Sequence, residues 1–398
     1  MAAALFAIVA FISLLPVMAK SSRPTYAMYL TGQHNVVPDS SLVTSITHVV
    51  LAFMQSATFN QPDPSSWPLF TTVEDTRSRF AKGTVVMVAI GGWGDTAGFS
   101  EAAKSDGSRR LFAKNVKAMI DHTGADGVDI DWEYPGGNGE DYLRVPNDEK
   151  AWEIDAYPKL LAEIRTAIGS SKLISAAIPG LPRDMIAFTA ETVPVIDQYV
   201  DHFNIMTYDL MNRRDNITKH HAGIVLSLEA INTYLSRGIP ASKANLGFAF
   251  YVKWFKTDPD AHANCSAKPV GCATVLMEDP KTGEDLGQAG AFSWHDEVPS
   301  RLAQSFRKAL SEGSYDTESG GYYYWDGEEN TWWTFETPES ILLKCSAVVQ
   351  TKGLGGVFAW GLGEDANGFE HLQALCTGFE NAFPKRSSQP ESERVDEL

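Results

Sequence analysis

Short runs of apolar residues rich in Val, Ile and Phe alternate along this chain with longer stretches in which apolar positions return every three or four residues. The short runs read as strands and the longer stretches as amphipathic helices, an alternation that marks a parallel sheet with crossover helices. Eight runs stand out: YAMYL (26–30), THVVLAFM (47–54), TVVMVAIGG (84–92), GVDIDWE (127–133), LISAAIP (173–179), HFNIMTY (202–208), ANLGFAFY (244–251) and GGVFAW (355–360). Eight parallel strands suggest closure, so the pattern predicts an α/β fold, a (β/α)8 TIM barrel. Helices are predicted between the strands, for example over 109–124 and 151–169, each ending at a glycine (Gly124, Gly169) that can cap it.

The spacing breaks once, between the seventh and eighth runs, which lie roughly a hundred residues apart. The segment 254–335 is rich in Gly, Asp, Trp and Tyr and reads as an inserted subdomain between strand 7 and helix 7. An insertion in a βα loop stands beside the active face of a barrel. Within it, YYYWDGEENTWWTF (322–335) reads as strand, turn and strand. The barrel itself is then expected over 20–253 and 336–382.

Both ends differ in character from this body. The apolar run that leads to Val17, Met18 and Ala19 reads as a signal peptide over 1–19, which implies a secreted chain with no membrane partner after cleavage. The polar segment 383–398 has no apolar period and is expected to be disordered. Its last residues, VDEL, are similar to an ER-retrieval address, but Val395 stands where Lys or His is usual, so retention is the lesser alternative.

Composition narrows the function. A formal net charge of -17 leaves no basic surface for phosphates, which argues against a nucleic-acid partner. Ten Trp, thirteen Tyr and twenty Phe can supply stacking platforms for sugar rings as well as core. The four cysteines are expected as two disulfides, Cys265 with Cys272 and Cys345 with Cys376. Asn216 and Asn264 head glycosylation sequons. The chain contains no GxSxG, P-loop or HExxH motif and no histidine spacing that suggests a metal cage, so neither metal nor cofactor is expected. A monomer is expected.

The strongest chemical signal is Asp126-Gly127-Val128-Asp129-Ile130-Asp131-Trp132-Glu133. Side chains alternate along a strand, so Asp129, Asp131 and Glu133 share one face while Val128, Ile130 and Trp132 share the other. With the apolar set against the helices, three acids converge on the barrel interior. Like charges that close cannot all ionise, so at least one pKa is pushed up, as a general acid near neutral pH requires. Glu133 comes last, at the carboxyl end of the strand, and is the natural proton donor. The same acids imitate an EF-hand loop in spacing, but Tyr134 occupies the position that needs Gly.

These residues also carry a family resemblance. DGVDIDWEYPGG resembles the DxxDxDxE signature of glycoside hydrolase family 18, and in particular its chitinases. AIGGW (89–93), MTYDL (206–210), GFAFY (247–251) and the run from ETPESI (336–341) to LGGVFAWGLGED (354–365) are similar to further strand motifs of that family. The 254–335 insertion resembles the α+β domain that deepens the groove in one branch of it. The resemblance implies a chitinase that cleaves β-1,4 links between N-acetylglucosamine units with retention, the substrate's own acetamido oxygen acting as nucleophile. Glu133 would be acid and then base, Asp131 would hold the acetamide, Asp129 would tune Asp131, and Asp126 would support the strand end. Tyr208 would donate to the acetamido oxygen. Trp360 would floor the cleaved subsite, and Trp93, Tyr134, Asp209, Met206, Tyr251, Phe53 and Gly92 would line the groove for chitin or its oligosaccharides.

Three departures stand beside these matches. Ala89 stands where the family often has Ser, and Met28 aligns where it often has Tyr, so two hydroxyl donors to Asp129 are expected to be missing. Lys253 stands where an Arg is common. Two other functions are kept open, a non-catalytic chitin-binding lectin on the same fold and an endo-β-N-acetylglucosaminidase acting on N-glycans.

Overall fold

The computed structural model describes residues 23–384. The expected signal peptide, the polar tail beyond Pro384 and the VDEL sequence lie outside the described residues. Seven strands follow one another around a barrel: β1 (Thr25–Thr31), β2 (His48–Met54), β3 (Val85–Gly91), β4 (Gly127–Asp131), β5 (Leu173–Pro179), β6 (His202–Met206) and β7 (Ala244–Ala249). A second sheet of five antiparallel strands intervenes, made of β8 (Tyr251–Lys256), β9 (Ala289–Ser293), β10 (Ser314–Asp316), β11 (Gly321–Asp326) and β12 (Thr331–Phe335) in the order β10-β11-β12-β8-β9. The strand β13 (Gly356–Trp360) then closes the barrel between β7 and β1. The helices expected from periodicity form over Asp106–Thr123 and Glu153–Ile168, and Gly124 and Gly169 end them at positive φ.

Two apolar layers follow from strand alternation. Tyr26, Met28 and Leu30 of β1 and Val128, Ile130 and Trp132 on and after β4 face outward into the layer shared with the helices, where Trp132 stacks on Phe99. Ala27, Tyr29, Val50, Met87, Ala89, Ala177 and Phe358 fill the barrel interior. Val and Ile suit both positions because parallel strands are buried on two faces.

The inserted sheet is packed on both sides as well. Trp333 joins Val252, Trp254, Phe292 and the helix residue Phe306 on one face, and its neighbour Trp332 joins Phe255, Met277 and the barrel-loop residue Met211 on the other. Tyr251, read in the sequence as the end of the seventh run, instead opens β8. The ladder between β7 and β13 ends at Ala249, and from Tyr251 the chain pairs with β9.

The cysteine expectation holds for one pair. Cys265 and Cys272 form a disulfide across a Cα separation of 5.0 Å. The Cys345–Cys376 disulfide does not form, and Cys345 is a buried thiol. Its sulfur lies against Gly378 of the helix Glu370–Ala382, while Cys376, two residues earlier on that helix, points its sulfur toward Glu380. Residues two apart on a helix face nearly opposite ways, so the two sulfurs cannot meet. Among the described residues no helix is long and apolar enough to cross a membrane.

Candidate active site

At the carboxyl ends of the strands lies a cleft of about 970 Å³, lined by residues from β1 to β6 and β13, the loops that follow them, and β8 and β9 of the insertion. Asp131 and Glu133 line its floor. Asp129, one step deeper on the same face of β4, is fully buried. Gly91 has a positive φ, and a Cβ there would strike the Asp131 carbonyl; Gly92, also at positive φ, leaves the space that the Phe53 ring fills. Both glycines are thus required where β3 passes the floor.

Asp129 carries three donors. Tyr29 Oη donates to Oδ2 at 2.9 Å, Ser175 Oγ donates to Oδ1 at 2.5 Å, and Asn204 Nδ2 lies 3.4 Å from Oδ1. The expectation that hydroxyl support is lost is therefore corrected. Met28 points outward, and its neighbour Tyr29 supplies the phenol from the inward face of β1. Ala89 brings no hydroxyl, and Ser175 on β5 supplies one from the opposite side of β4. Burial pushes the Asp129 carboxyl up to about 6, against these three hydrogen bonds, which lower it. Asp131 is pushed well above the usual carboxylate range by burial and by the charges of Glu133 and Asp129. Its Oδ1 is buried without a hydrogen-bond partner.

Glu133 is raised to about 8, first by burial and then by Asp209 and Asp184, against a hydrogen bond with Tyr134. The ladder thus holds protons near neutral pH. Asp126, by contrast, sits at the far end of β4, where its Oδ2 accepts from Arg77 and from the Val86 N–H, both at 2.8 Å.

Tyr208 and Asp209 follow β6. The Tyr208 ring packs on Tyr251 and Phe358 with centroids 6.2 and 5.9 Å apart. Asp209 adopts a φ of 53°, a conformation Asp tolerates better than most residues. Its Oδ1 accepts from Tyr251 Oη and Lys253 Nζ, each at 2.8 Å. Desolvation by the cleft walls acts to raise this carboxyl, whose side chain is 52% exposed, but the Lys253 ammonium and His221 hold it well below the usual range. Trp360 stacks on Phe53 at 5.4 Å and 19°. Trp93 is 52% exposed, with Tyr134 at its edge and the Arg214 guanidinium over its face. Met206 completes the lining. The residues named from sequence as lining or catalytic therefore meet in one place, apart from Asp126 and the submerged Asp129.

Sequence reasoning missed Tyr29, Ser175, Asn204, Asp184 and Arg214. Tyr29, Ser175 and Asn204 sit singly inside apolar runs, where inward parity is the available signal, whereas Asp184 and Arg214 lie in polar loops among other charged residues and carry no such signal. The sequon residues Asn216 and Asn264 are exposed and lie outside the cleft lining. Among the described residues no cluster of His, Cys, Asp and Glu could hold a metal ion.

The sequence pattern described as "Glycosyl hydrolases family 18" matches residues 25–365. Endochitinase 1 of Metarhizium robertsii is 26% identical over 302 residues, 72% of this chain and 63% of its own length. This chain thus spans less than two thirds of that relative. A chitinase from Rhizomucor miehei superposes with a TM-score of 0.69 at 21% identity, covering 89% of this chain and 99% of its own. A plant class V chitinase mutant from Cycas revoluta, solved in complex with (GlcNAc)3, superposes with a TM-score of 0.65 at 20% identity, covering 89% and 99%. At these identities the superpositions speak for the fold.

Proposed function

Because the chain belongs to glycosyl hydrolases family 18, we propose that it is a chitinase that hydrolyses β-1,4 links between N-acetylglucosamine units with retention and with help from the substrate's acetamide. The observation that carries this reading is Asp131, whose buried Oδ1 has no partner among the described residues while Glu133 beside it keeps its proton to about pH 8. A buried acceptor left open at a cleft floor needs a donor from the ligand. The acetamido N–H of an N-acetylated sugar supplies one.

In this scheme Glu133 passes its proton to the glycosidic oxygen as the C1–O bond breaks. The acetamido carbonyl oxygen, turned toward C1 by Asp131 and held by the Tyr208 hydroxyl, closes on C1 from the opposite side and forms an oxazolinium ion. The negative charge shared by Asp131 and Asp129 stabilises that cation, and it acts strongly because both carboxyls are buried. Glu133, now a carboxylate, takes a proton from water as the water attacks C1 and reopens the ring. Two inversions give retention. No protein carboxylate bonds to the sugar, which sets this route apart from the two-carboxylate scheme. Trp360 on its Phe53 backing offers a platform for the distorted sugar, and Trp93 offers one farther along the cleft.

The endoglycosidase reading differs only in the remote parts of the substrate, and the lectin reading lacks turnover. Profiling products from chitin oligomers and from a high-mannose glycopeptide in parallel tests all three. Cleavage of the oligomers to β-configured shorter products is expected. Release of glycan with intact oligomers would replace the proposal, and binding without cleavage of either would leave a lectin.

A further inference from the structure

Where β6 and β7 approach the cleft, their ladder opens. Cα pairing between them runs from Phe203–Ala244 to Ile205–Leu246 and stops, while β13 stays paired with β7 to Ala249. Two carbonyls beyond the opening, those of Thr207 and Gly247, are buried and need donors from elsewhere. The Lys344 ammonium fills the gap. It donates to Thr207 O at 3.0 Å, to Gly247 O at 2.9 Å and to Glu336 Oε1 at 3.2 Å, which uses all three of its N–H bonds.

Glu336 completes the clamp, its Oε2 accepting the Ala249 N–H at 2.7 Å. The Thr207 hydroxyl adds a bridge to Gly247, donating to its carbonyl at 2.8 Å and accepting its N–H at 3.0 Å. Both charged side chains are almost fully buried, Lys344 at 1% and Glu336 at 2% exposure. Lys344 also lies over the Phe248 ring at 4.8 Å. One ion pair therefore holds three backbone groups, two on β7 and one just past β6, at the point where those strands stop holding each other.

The residues next along the chain are Tyr208 and Asp209 after Thr207, and Tyr251 two residues after Ala249. We propose that Lys344 and Glu336 are positioning residues, a clamp that sets the backbone carrying Tyr208, Asp209 and Tyr251 and so fixes the acetamide-binding side of the site. This rests on the role given above to Tyr208. A buried pair replaced as a whole by neutral residues of similar size often costs little stability, whereas loss of one partner leaves an unpaired charge. The clamp's contribution is therefore read in catalysis and local dynamics more than in melting.

The test uses the full chain with the double substitution Glu336→Gln/Lys344→Met, a fluorogenic N,N'-diacetylchitobioside and hydrogen exchange on the same samples. We expect kcat to fall about ten-fold, since sub-ångström to ångström misplacement costs one to two powers of ten, with KM within two-fold of wild type. Exchange should quicken in 203–211 and 245–251 and stay unchanged elsewhere in the barrel. Glu336→Gln alone leaves the buried Lys344 ammonium without its carboxylate and should melt below the double variant. If that double variant does not fold, Glu336→Gln/Lys344→Gln, neutral as a pair and with a shorter donor in place of the ammonium, carries the same expectation. A wild-type kcat in the double variant overturns the clamp, and so does exchange that quickens everywhere or nowhere. A wild-type protein inert on the chitobioside would instead overturn the chitinase reading, and the exchange measurement would still decide whether the clamp holds the two segments.

Discussion

Tyr29 Oη donates to Asp129 Oδ2 at 2.9 Å, a bond that crosses the barrel interior from β1 to β4 and that Asn204 Nδ2 reinforces by donating to the same phenol oxygen at 2.9 Å. The bond favours the ionised form of Asp129 and lowers a pKa that burial raises to about 6. In Tyr29→Phe that brake is gone, so the Asp129 carboxyl rises further. The acidic limb of the kcat/KM profile should then move to higher pH while the alkaline limb stays. The rate at the optimum should fall about ten-fold, the worth of one hydrogen bond to a charged group. Kinetics across pH 4 to 9 would check this, and an unmoved acidic limb would show that Asp129 does not set it.

Glu133→Gln is expected to lower turnover by roughly three powers of ten, in the range for removal of a positioned acid, with oligosaccharide binding retained. It should also stabilise the fold in alkali. The carboxyl titrates near 8 in the folded protein and near its ordinary value when unfolded. The folded state therefore holds the extra proton between those limits, and its stability falls as pH rises through that window. Gln has no such proton to lose. The variant should melt close to wild type at pH 4 and a few degrees above it at pH 9, on the order of the shift that 1 kcal/mol gives. Calorimetry at the two pH values tests the assignment without a substrate.

The barrel was legible because its strands alternate with helices, and the carboxylate ladder was legible because its parity is strict. The first strand misled by one residue. YAMYL is buried on both faces, so polarity does not say which side chains turn inward, and Met28 was aligned where Tyr29 serves. Ser175, Asn204 and Asn245 form a polar seam inside the barrel, yet each is one polar residue in an apolar run. The end of the seventh run was misplaced for another reason. GFAFYVKW is apolar across the point where the chain leaves one sheet for another, and hydropathy carries no mark of a change of partner. Lys344 stands alone among Ile341, Leu342, Leu343 and Cys345, and its partner Glu336 lies before the helix begins.

The alkaline limb of activity should report Glu133 at about pH 8 and should answer to Asp184. Asp184 is buried at the cleft wall between Arg183 and Arg214, and its charge is one of the influences that raise Glu133. Asp184→Asn removes that repulsion and keeps the shape. Glu133 then gives up its proton more readily, so the alkaline limb should move to lower pH with the acidic limb in place. An alkaline limb that does not move would place its origin elsewhere than Glu133.

Lys253 provides a test of the acetamide side that is independent of the ladder. Asp209 is held by Tyr251 and Lys253 on one oxygen and lies 3.8 Å from His221, whose own pKa burial lowers to about 4. At neutral pH that histidine is uncharged, so Lys253 is the cation that keeps Asp209 ionised and aimed. In Lys253→Met the carboxyl loses its charged partner, its pKa rises and its side chain regains rotamers. The expected result is a ten-fold or so loss in kcat/KM, the scale of one charge-assisted hydrogen bond. Lys253→Arg, whose guanidinium keeps the charge and can donate to the same oxygen, should restore most of the loss. Equal defects in the Met and Arg variants would mean that Lys253 acts through packing of β8 and not through Asp209.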